Sequence, residues 1–479
     1  MEAVKLAGLE PKAVFGYFEK LCSIPHGSGN TKMISDYLVS YAKEHGLRCI
    51  QDELNNVILF GDGTCGMEDH DPVILQGHMD MVCDKDPDCT LDMTKEGLDV
   101  THDGEYIFAR GTTLGGDDGI AVAYALALLE DKSIPHPPLE VIITVDEEIG
   151  MPGAKGIDVS MLKGRTMINL DSEVEGAFTV ACAGAATATL RMEAPRTAPG
   201  GETICLTVDG LQGGHSGGEI HKNRGNANKI MGRLLARIQA VAPLRLVSIA
   251  GGVADNVIPR SCQAAVIAEN ADLQAISEIA QTLQAEVRAA YDEPNAIVSC
   301  RKGECAADSV APDATDRIIR MICQTPDAIQ AMSKDIPGLP ETSLNMGILV
   351  LDEDFHTDHS VRSSVNADKD ALLQKLREMT EALGGTYSQR GEYPAWEYRA
   401  ESPLRDTMVR VFREQYGHEP EVMAVHVGLE CGMLGEKLPG LDCVSIGPEL
   451  NDIHTSREKL GIASNLRTWN YLLAVMKAL

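Results

Sequence analysis

Short apolar runs that stop at charged residues are the feature that most constrains this chain. One run covers residues 73–75 and leads into His78, and another covers residues 141–145 and leads into Glu147 and Glu148. The second run is β-branched throughout, which is typical of a strand buried in a sheet. Segments with helical spacing alternate with these runs. The pattern predicts an α/β fold in which helices cover a mixed, mostly parallel sheet.

The pattern changes after about residue 184. Residues 185–397 combine long helical segments, such as 272–290, with strands and polar turns, which is typical of an α+β domain. The α/β pattern then returns and continues to the end of the chain. We therefore predict one α/β domain formed by residues 1–184 and 398–479, interrupted by an α+β domain at 185–397. The inserted domain is long enough to consist of two similar halves.

The composition restricts the partners and the compartment. The chain has 42 basic and 71 acidic residues, a net charge of −29 at neutral pH. A surface this acidic repels phosphate backbones and anionic membranes, so we expect neither nucleic acid nor membrane as a partner. The first residues do not have the pattern of a signal peptide, and the 13 cysteines are scattered without a CxxC pair. Reduced cysteines and a cytoplasmic location are therefore expected.

Imidazole and carboxylate side chains follow several of the predicted strands. They are His78, Asp80, Asp117, Asp118, Glu147, Glu148, Asp171 and His454. Each has an ordinary explanation when taken alone, such as a helix N-cap or a solvated turn. Together they would repel one another at the carboxyl edge of a sheet unless cations neutralised them. Because imidazole and carboxylate without thiolate suit zinc, the set indicates a pair of divalent cations.

The spacing of these residues suggests roles for some of them. His78 and Asp80 point the same way along an extended chain, so the carboxylate can orient the imidazole. Glu147 and Glu148 are adjacent, so one can bind metal while the other acts as a general base. A carboxylate shared by two metals is expected at Asp117 or Asp118, and spacing alone does not choose between them.

Six motifs carry a resemblance to a known family. They are LQGHMDMVCDK (75–85), GTTLGGDDGIAVA (111–123), TVDEEIGMPGAKG (144–156), INLDSE (168–173), GGHSGGEIHKNRGNA (213–227) and SIGPELNDIHT (445–455). The chain resembles, over nearly its whole length, the dinuclear-zinc exopeptidases that include carboxypeptidase G and aminoacylase. The resemblance is strongest to the dipeptidase branch of that family.

The resemblance implies a cofactor and a set of roles. Two Zn²⁺ ions, which Co²⁺ or Mn²⁺ can replace, would be held by His78 and Asp171 on one side, by Glu148 and His454 on the other, and by Asp117 as the bridge. Glu147 would be the general base, and Asp80 would orient His78. A cis peptide bond is expected after Asp117.

The inserted domain resembles the lid of this family. The resemblance implies that His215 stabilises the oxyanion and that Asn256 and Arg362 bind the substrate carboxylate, a group that suits a bidentate guanidinium. The loop of residues 426–430 would line the pocket, with Gly428 placing backbone near the substrate. Because the lid is about twice as long as in simple dimeric relatives, His215 could act within one chain. A homodimer is then possible but not required for the chemistry.

The implied activity is hydrolysis of L-dipeptides with free termini, including aminoacyl-histidine dipeptides. An N-acyl amino acid amidohydrolase with the same metals is the alternative enzyme. A non-catalytic protein that binds metal or small peptides is the alternative from another class, and the presence of Glu147 argues against it.

Overall fold

The computed structural model describes residues 5–269 and 271–479 and divides the chain into two compact units. The first unit contains the residues up to Ala181 together with Tyr398–Ala424 and Leu429–Leu479. The second contains Cys182–Glu397 and Val425–Gly428. The limits lie close to those expected at residues 184 and 397. The short segment Val425–Gly428, which belongs to the second unit, has no counterpart among the expected limits.

The secondary structure up to the second unit alternates strands and helices. The helices are α1 (Lys12–Cys22), α2 (Lys32–Glu44), α3 (Gly116–Glu130) and α4 (Pro152–Gly156). The strands are β1 (Arg48–Gln51), β2 (Val57–Gly61), β3 (Val73–His78), β4 (Val100–His102), β5 (Tyr106–Ala109), β6 (Leu139–Thr144), β7 (Thr166–Asn169) and β8 (Ala177–Cys182). Both apolar runs that opened the sequence analysis are therefore strands.

The second unit is richer in strands. Its helices are α5 (Ala227–Gln239), α6 (Leu273–Ala290), α7 (Pro312–Gln324) and α8 (Asn366–Ala382). Its strands are β9 (Gly184–Met192), β10 (Arg196–Thr197), β11 (Gly201–Asp209), β12 (Gly214–His215), β13 (Leu244–Gly251), β14 (Val257–Ile258), β15 (Cys262–Ala268), β16 (Ile297–Ala306), β17 (Ser309–Val310), β18 (Ala328–Met332), β19 (Pro340–Leu351), β20 (Phe355–Ser363) and β21 (Thr386–Tyr393).

The remaining elements return to the first pattern. They are helices α9 (Pro403–Tyr416), α10 (Glu430–Lys437) and α11 (Ile462–Ala478), and strands β22 (Glu421–Val425), β23 (Asp442–Ser445), β24 (Leu450–Asn451) and β25 (Lys459–Gly461).

A mixed eight-stranded sheet organises the first unit, in the order β1-β2-β6-β3-β7-β23-β8-β22. The four central strands, β6, β3, β7 and β23, are mutually parallel, and antiparallel strands flank them. Every residue of β3 and β6 is buried, which explains why these strands are continuous apolar runs instead of alternating ones. The α/β prediction is confirmed, with the parallel pairing confined to the centre of the sheet.

The second unit is built on a nine-stranded sheet whose pairs are all antiparallel among the described residues. Helices α5, α6, α7 and α8 bury apolar side chains in one core with this sheet, including Ile230, Leu283 and Ile318. The helix predicted at 272–290 is α6, and the side chain of Asp272 caps its N-terminus by accepting a hydrogen bond from Gln274 N. Among the helices of the described residues, none has the length and apolarity needed to span a membrane.

Candidate metal centre

The site of the first unit lies where three neighbouring parallel strands end. Strand β3 ends at His78, β6 is followed by Glu147 and Glu148, and Asp171 comes two residues after the end of β7. Because β3 pairs in parallel with both β6 and β7, the carboxyl ends of these strands meet at one edge of the sheet. Ligands of open α/β sheets bind at this edge. The predicted juxtaposition of these side chains is therefore present in the fold.

Asp117 stands between the two histidines. His78 Nε2 lies 3.1 Å from Asp117 Oδ1, and His454 Nε2 lies 3.2 Å from Asp117 Oδ2. Each histidine also approaches a second carboxylate, since His78 Nε2 is 3.7 Å from Asp171 Oδ1 and His454 Nε2 is 2.9 Å from Glu148 Oε1. The two oxygens of the Asp117 carboxylate thus face different pairs: Oδ1 faces His78 and Asp171, and Oδ2 faces His454 and Glu148.

Asp118 takes a different position from its neighbour. Its Oδ2 accepts a hydrogen bond from His78 N at 3.1 Å, and its side chain is buried. The peptide bond between Asp117 and Asp118 is cis, as expected. Of the two candidates for a shared carboxylate, Asp117 is the one that approaches both histidines, which favours it as the bridge.

The donor atoms form three overlapping groups that could each hold a metal ion. They are His78 with Asp118 and Asp171, His78 with Glu147 and Glu148, and Asp117 with Glu148 and His454, with the donor atoms of each group within 4.8 Å of one another. Glu148 Oε1 is buried, and its contact with His454 lacks hydrogen-bond geometry. A buried carboxylate oxygen without a hydrogen-bond donor fits a site that takes a cation.

Asp80 links the metal-ligand candidates to the base candidate. His78 Nδ1 lies 3.0 Å from the carbonyl oxygen of Asp80 and 3.4 Å from its Oδ1, which leaves Nε2 directed at the cluster. Asp80 Oδ1 also accepts a hydrogen bond from Glu147 N at 3.1 Å, and Oδ2 accepts one from Ser28 Oγ at 2.8 Å. Burial alone would raise the pKa of Asp80, but the contact with His78 and these donors lower it.

The electrostatics of the cluster favour added positive charge. Burial raises the pKa of Glu147 well above its ordinary value and that of Asp171 to about 6. Burial also raises the pKa of Glu173 to about 7, with a further contribution from the charges of Asp117 and Asp171. Carboxyl groups that resist ionisation because they are buried together become stable anions when a divalent cation binds among them. The donor set therefore fits the metal pair that the sequence predicts.

Three acidic residues of this region had no catalytic or metal-binding role assigned in the sequence analysis. Glu173 lies inside the INLDSE motif, but it attracted no assignment of its own. Glu430 is fully buried, and its Oε2 accepts hydrogen bonds from Gln76 Nε2 at 2.6 Å and Thr144 Oγ1 at 2.5 Å. Burial raises the pKa of Glu430 to about 8. Glu458, four residues after His454, is the third.

The second unit contains a separate cluster around His215. Strand β12 pairs with β14, so that His215 lies opposite Val257, and Ser216 N donates to the carbonyl oxygen of Asn256 at 2.9 Å. The ring Nδ1 of His215 accepts a hydrogen bond from Gly218 N at 3.0 Å. Burial and then the charge of Arg362 lower the pKa of His215, so the ring is neutral and carries its proton on Nε2. The structure thus brings His215, Asn256 and Arg362 into one unit.

Arg362 is a buried cation with neutral partners. Its side chain is 7% exposed, and Nη1 donates to Tyr393 Oη at 3.2 Å. Its Nε is buried without a hydrogen-bond partner, and no carboxylate forms an ion pair with Arg362 in the described part of the chain. Since a buried guanidinium without a counter-ion is costly, this arrangement is suited to an anionic ligand.

Gly428 belongs to the same cluster. A Cβ at this position would lie 2.6 Å from Cε2 of the Tyr393 ring, so only glycine allows the ring to lie against this backbone. His426, two residues earlier, contacts Ser343 Oγ through Nε2 at 2.7 Å, and burial followed by the charge of Arg362 lowers its pKa to about 3. Tyr393 had no assigned role in the sequence analysis, because it stands in no spacing that indicates one, whereas His426 belongs to the loop 426–430 that was expected to line the pocket.

A histidine–carboxylate cluster at the carboxyl edge of an α/β sheet, with a carboxylate beside it that can move a proton, is the architecture of a metal-dependent hydrolase. The family profile described as Peptidase family M20/M25/M40 matches residues 74–478. The chain belongs to this peptidase family. The family resemblance inferred from the six motifs is confirmed.

Two relatives extend over the whole chain. The cytosol non-specific dipeptidase of Escherichia coli is 35% identical over 478 residues, which cover 99% of each protein. The crystal structure of aminoacylhistidine dipeptidase from Vibrio alginolyticus is 34% identical, with a TM-score of 0.93 over 99% of this chain and 98% of that one. The aminopeptidase PepT from Bacillus cereus shares the fold at 17% identity, with a TM-score of 0.56 over 98% of this chain and 99% of that one.

Proposed function

We propose that this protein is a dinuclear zinc dipeptidase that hydrolyses L-dipeptides with free termini, including aminoacyl-histidine dipeptides. The observation that carries the proposal is the division of the Asp117 carboxylate between His78 and His454, each of which has a second carboxylate close by. The full-length similarity to two dipeptidases supports the substrate class. The word cytosol in the name of one relative also supports a cytoplasmic location.

The proposed ligands form two sets joined by one bridge. His78 and Asp171 would hold one ion, Glu148 and His454 the other, and Asp117 both. When bound, two zinc ions would supply Lewis-acid chemistry and would lower the pKa of a bound water to about 7. Asp80 keeps the Nε2 atom of His78 directed at the site.

Glu147 is the proposed general base. Its carboxylate would take a proton from the attacking water and pass it to the nitrogen of the leaving amine. The hydrogen bond from Glu147 N to Asp80 supports this role, because it holds Glu147 close to the proposed ligand His78 and leaves the Glu147 side chain free of that contact. A side chain that can hold a proton beside the donor atoms is what the reaction requires.

The second unit supplies the proposed substrate contacts. Arg362 would bind the C-terminal carboxylate, which fits its burial without an acidic partner. Asn256 would assist in holding that carboxylate, and Gly428 would place backbone near the substrate. His215 would donate its Nε2 proton to the oxygen of the scissile carbonyl as negative charge develops there.

The test compares wild type, Glu147→Gln and the matched surface control Glu53→Gln, each loaded with zinc. β-Ala-His, Gly-His and Leu-Gly should be hydrolysed by wild type and control and not after treatment with EDTA. Glu147→Gln should keep its metal and lose about 10²- to 10⁴-fold in kcat, the usual contribution of a general base. If the protein hydrolyses N-acetyl-Met but no free dipeptide, the dipeptidase proposal is wrong and the N-acyl amino acid amidohydrolase is the activity. Hydrolysis of nothing by zinc-loaded wild type would contradict both enzymes.

A further inference from the structure

Glu458 is a buried carboxylate surrounded by backbone donors. The residue is 3% exposed. Its Oε2 accepts hydrogen bonds from Leu114 N at 2.7 Å and Gly115 N at 3.0 Å. Its Oε1 accepts from Gly116 N at 2.7 Å and Asp117 N at 3.3 Å. The carboxylate thus binds all four consecutive amide groups of the 114–117 turn, which lies before the regular part of helix α3 because Asp117 and Asp118 have non-helical backbone angles.

The same residue belongs to the loop that carries His454. Strands β24 and β25 form an antiparallel hairpin in which Leu450 pairs with Leu460, and the loop between the strands contains both His454 and Glu458. Glu458 N donates to the carbonyl oxygen of Thr455 at 3.0 Å, which closes the loop locally. Glu458 therefore connects the backbone of Asp117 to the loop of His454, although these segments are more than 300 residues apart in sequence.

The contact between the turn and the hairpin is close-packed. A Cβ at Gly116 would lie 2.6 Å from Leu450 Cδ2 and 3.2 Å from Glu458 Oε1. His454 itself has a positive φ of 60°, a conformation that persists only where the surroundings hold it. The contacts of Glu458 thus lie between the backbone of Asp117 and the loop that carries His454.

We propose that Glu458 is a positioning residue of the metal centre, one that sets the distance between the Asp117 carboxylate and the His454 imidazole by binding the 114–117 turn. This inference rests on the proposed function, because it takes Asp117 and His454 as metal ligands. Both carboxylate oxygens of Glu458 accept hydrogen bonds from backbone N–H groups. Glu458 would therefore affect metal binding through Asp117 and His454 and not as a ligand itself. Residues that orient metal ligands typically change metal affinity 10- to 100-fold when they are replaced.

Glu140 provides a matched control within the same unit. It is also a buried carboxylate that accepts backbone hydrogen bonds, from Lys163 N at 3.0 Å and Gly164 N at 2.9 Å. It lies at the start of β6, near the N-terminal end of β7, whereas the proposed ligands Glu148 and Asp171 follow the C-terminal ends of these strands. Glu140→Gln therefore disturbs a similar backbone contact without touching a ligand loop.

The experiment titrates Zn²⁺ into metal-free wild type, Glu458→Gln and Glu140→Gln, and records the visible spectrum of each protein loaded with Co²⁺. We expect Glu458→Gln to bind one of its two ions at least about tenfold more weakly and to show an altered Co²⁺ spectrum. Its kcat should fall more than its KM rises, because the substrate contacts are unchanged. Glu140→Gln should bind both ions as wild type does.

Two outcomes would overturn the inference: unchanged affinity and spectrum in Glu458→Gln, or an equal loss of metal in Glu140→Gln. If Glu458→Gln does not fold, Gly116→Ala decides the question. Its added Cβ crowds Leu450 Cδ2 and the Glu458 carboxylate while every charge is kept, so it should weaken metal binding in the same way, and normal binding would contradict the proposal. Failure of wild type to bind two ions would instead contradict the proposed function.

Discussion

At the scale of single residues, Arg362 gives a sharp prediction about substrate choice. Replacing it with methionine removes the guanidinium but keeps most of the side-chain volume. A charge-assisted hydrogen bond contributes about 1.5–3 kcal/mol, so KM for L-dipeptides should rise about 10- to 100-fold. Dipeptide amides, which lack the carboxylate, should be affected little by the substitution. Steady-state kinetics with each dipeptide and its amide measure both effects.

The matched control is Arg301→Met, an exposed arginine on strand β16 of the same unit. It should leave the kinetics of both substrates unchanged. An equal loss of activity towards the dipeptide and its amide in Arg362→Met would show that Arg362 supports the fold of its cluster and does not bind the carboxylate.

At the scale of elements, helix α3 packs on strand β3 so closely that only glycine fits at position 77. A Cβ there would lie 2.4 Å from Asp118 Oδ2 and 2.6 Å from the Ala121 Cβ. Gly77→Ala should destabilise the protein by about 1–3 kcal/mol, the usual cost of overpacking. It should also weaken zinc binding, because it moves Asp117 on α3 away from His78 on β3. Urea unfolding of the metal-free protein and zinc titration measure the two effects.

Gly435→Ala is the control for this substitution. Gly435 lies in helix α10 of the same unit, and nothing lies within 4 Å of an added Cβ. Alanine should stabilise this helix by about 0.5–1 kcal/mol and leave metal binding unchanged. Gly77→Ala and Gly435→Ala could instead have the same free energy of unfolding and the same zinc affinity. That result would mean that the close approach of α3 to β3 does not determine the geometry of the metal centre.

What could be predicted from the sequence follows from how local the signals are. Strands β3 and β6 were predictable because both faces are buried, and the residues after them were found because polar groups that end a buried strand are conspicuous. Glu458 and Tyr393 were not predictable in this way. Glu458 and the 114–117 turn that it binds are more than 300 residues apart in the sequence. Tyr393 on β21 contacts Arg362 on β20, although strand β9 lies between these two strands in the sheet. No spacing in the sequence records such contacts.

At the scale of the whole molecule, stability should depend on pH through buried neutral histidines. His359 is fully buried in β20, and its Nε2 contacts Thr357 Oγ1 at 2.8 Å. Burial, followed by the charge of Lys229, lowers the pKa of His359 to about 3. An unfolded chain has a histidine pKa of about 6.5. Between these values only the unfolded state binds the proton, so this group makes the free energy of unfolding fall as the pH falls.

His359→Gln should therefore reduce the acid dependence of stability. The slope of the free energy of unfolding against pH should decrease by up to about 1 kcal/mol per pH unit between about pH 6 and pH 4, and remain unchanged above pH 7. Urea unfolding of the metal-free protein at a series of pH values measures this slope.

The net charge of −29 also changes over this range, as carboxylates are neutralised and their mutual repulsion decreases. Because that change is common to all variants, the difference between His359→Gln and the exposed control His221→Gln isolates the buried imidazole. Identical slopes for these two variants would mean that His359 takes up its proton in the folded protein as readily as in the unfolded one.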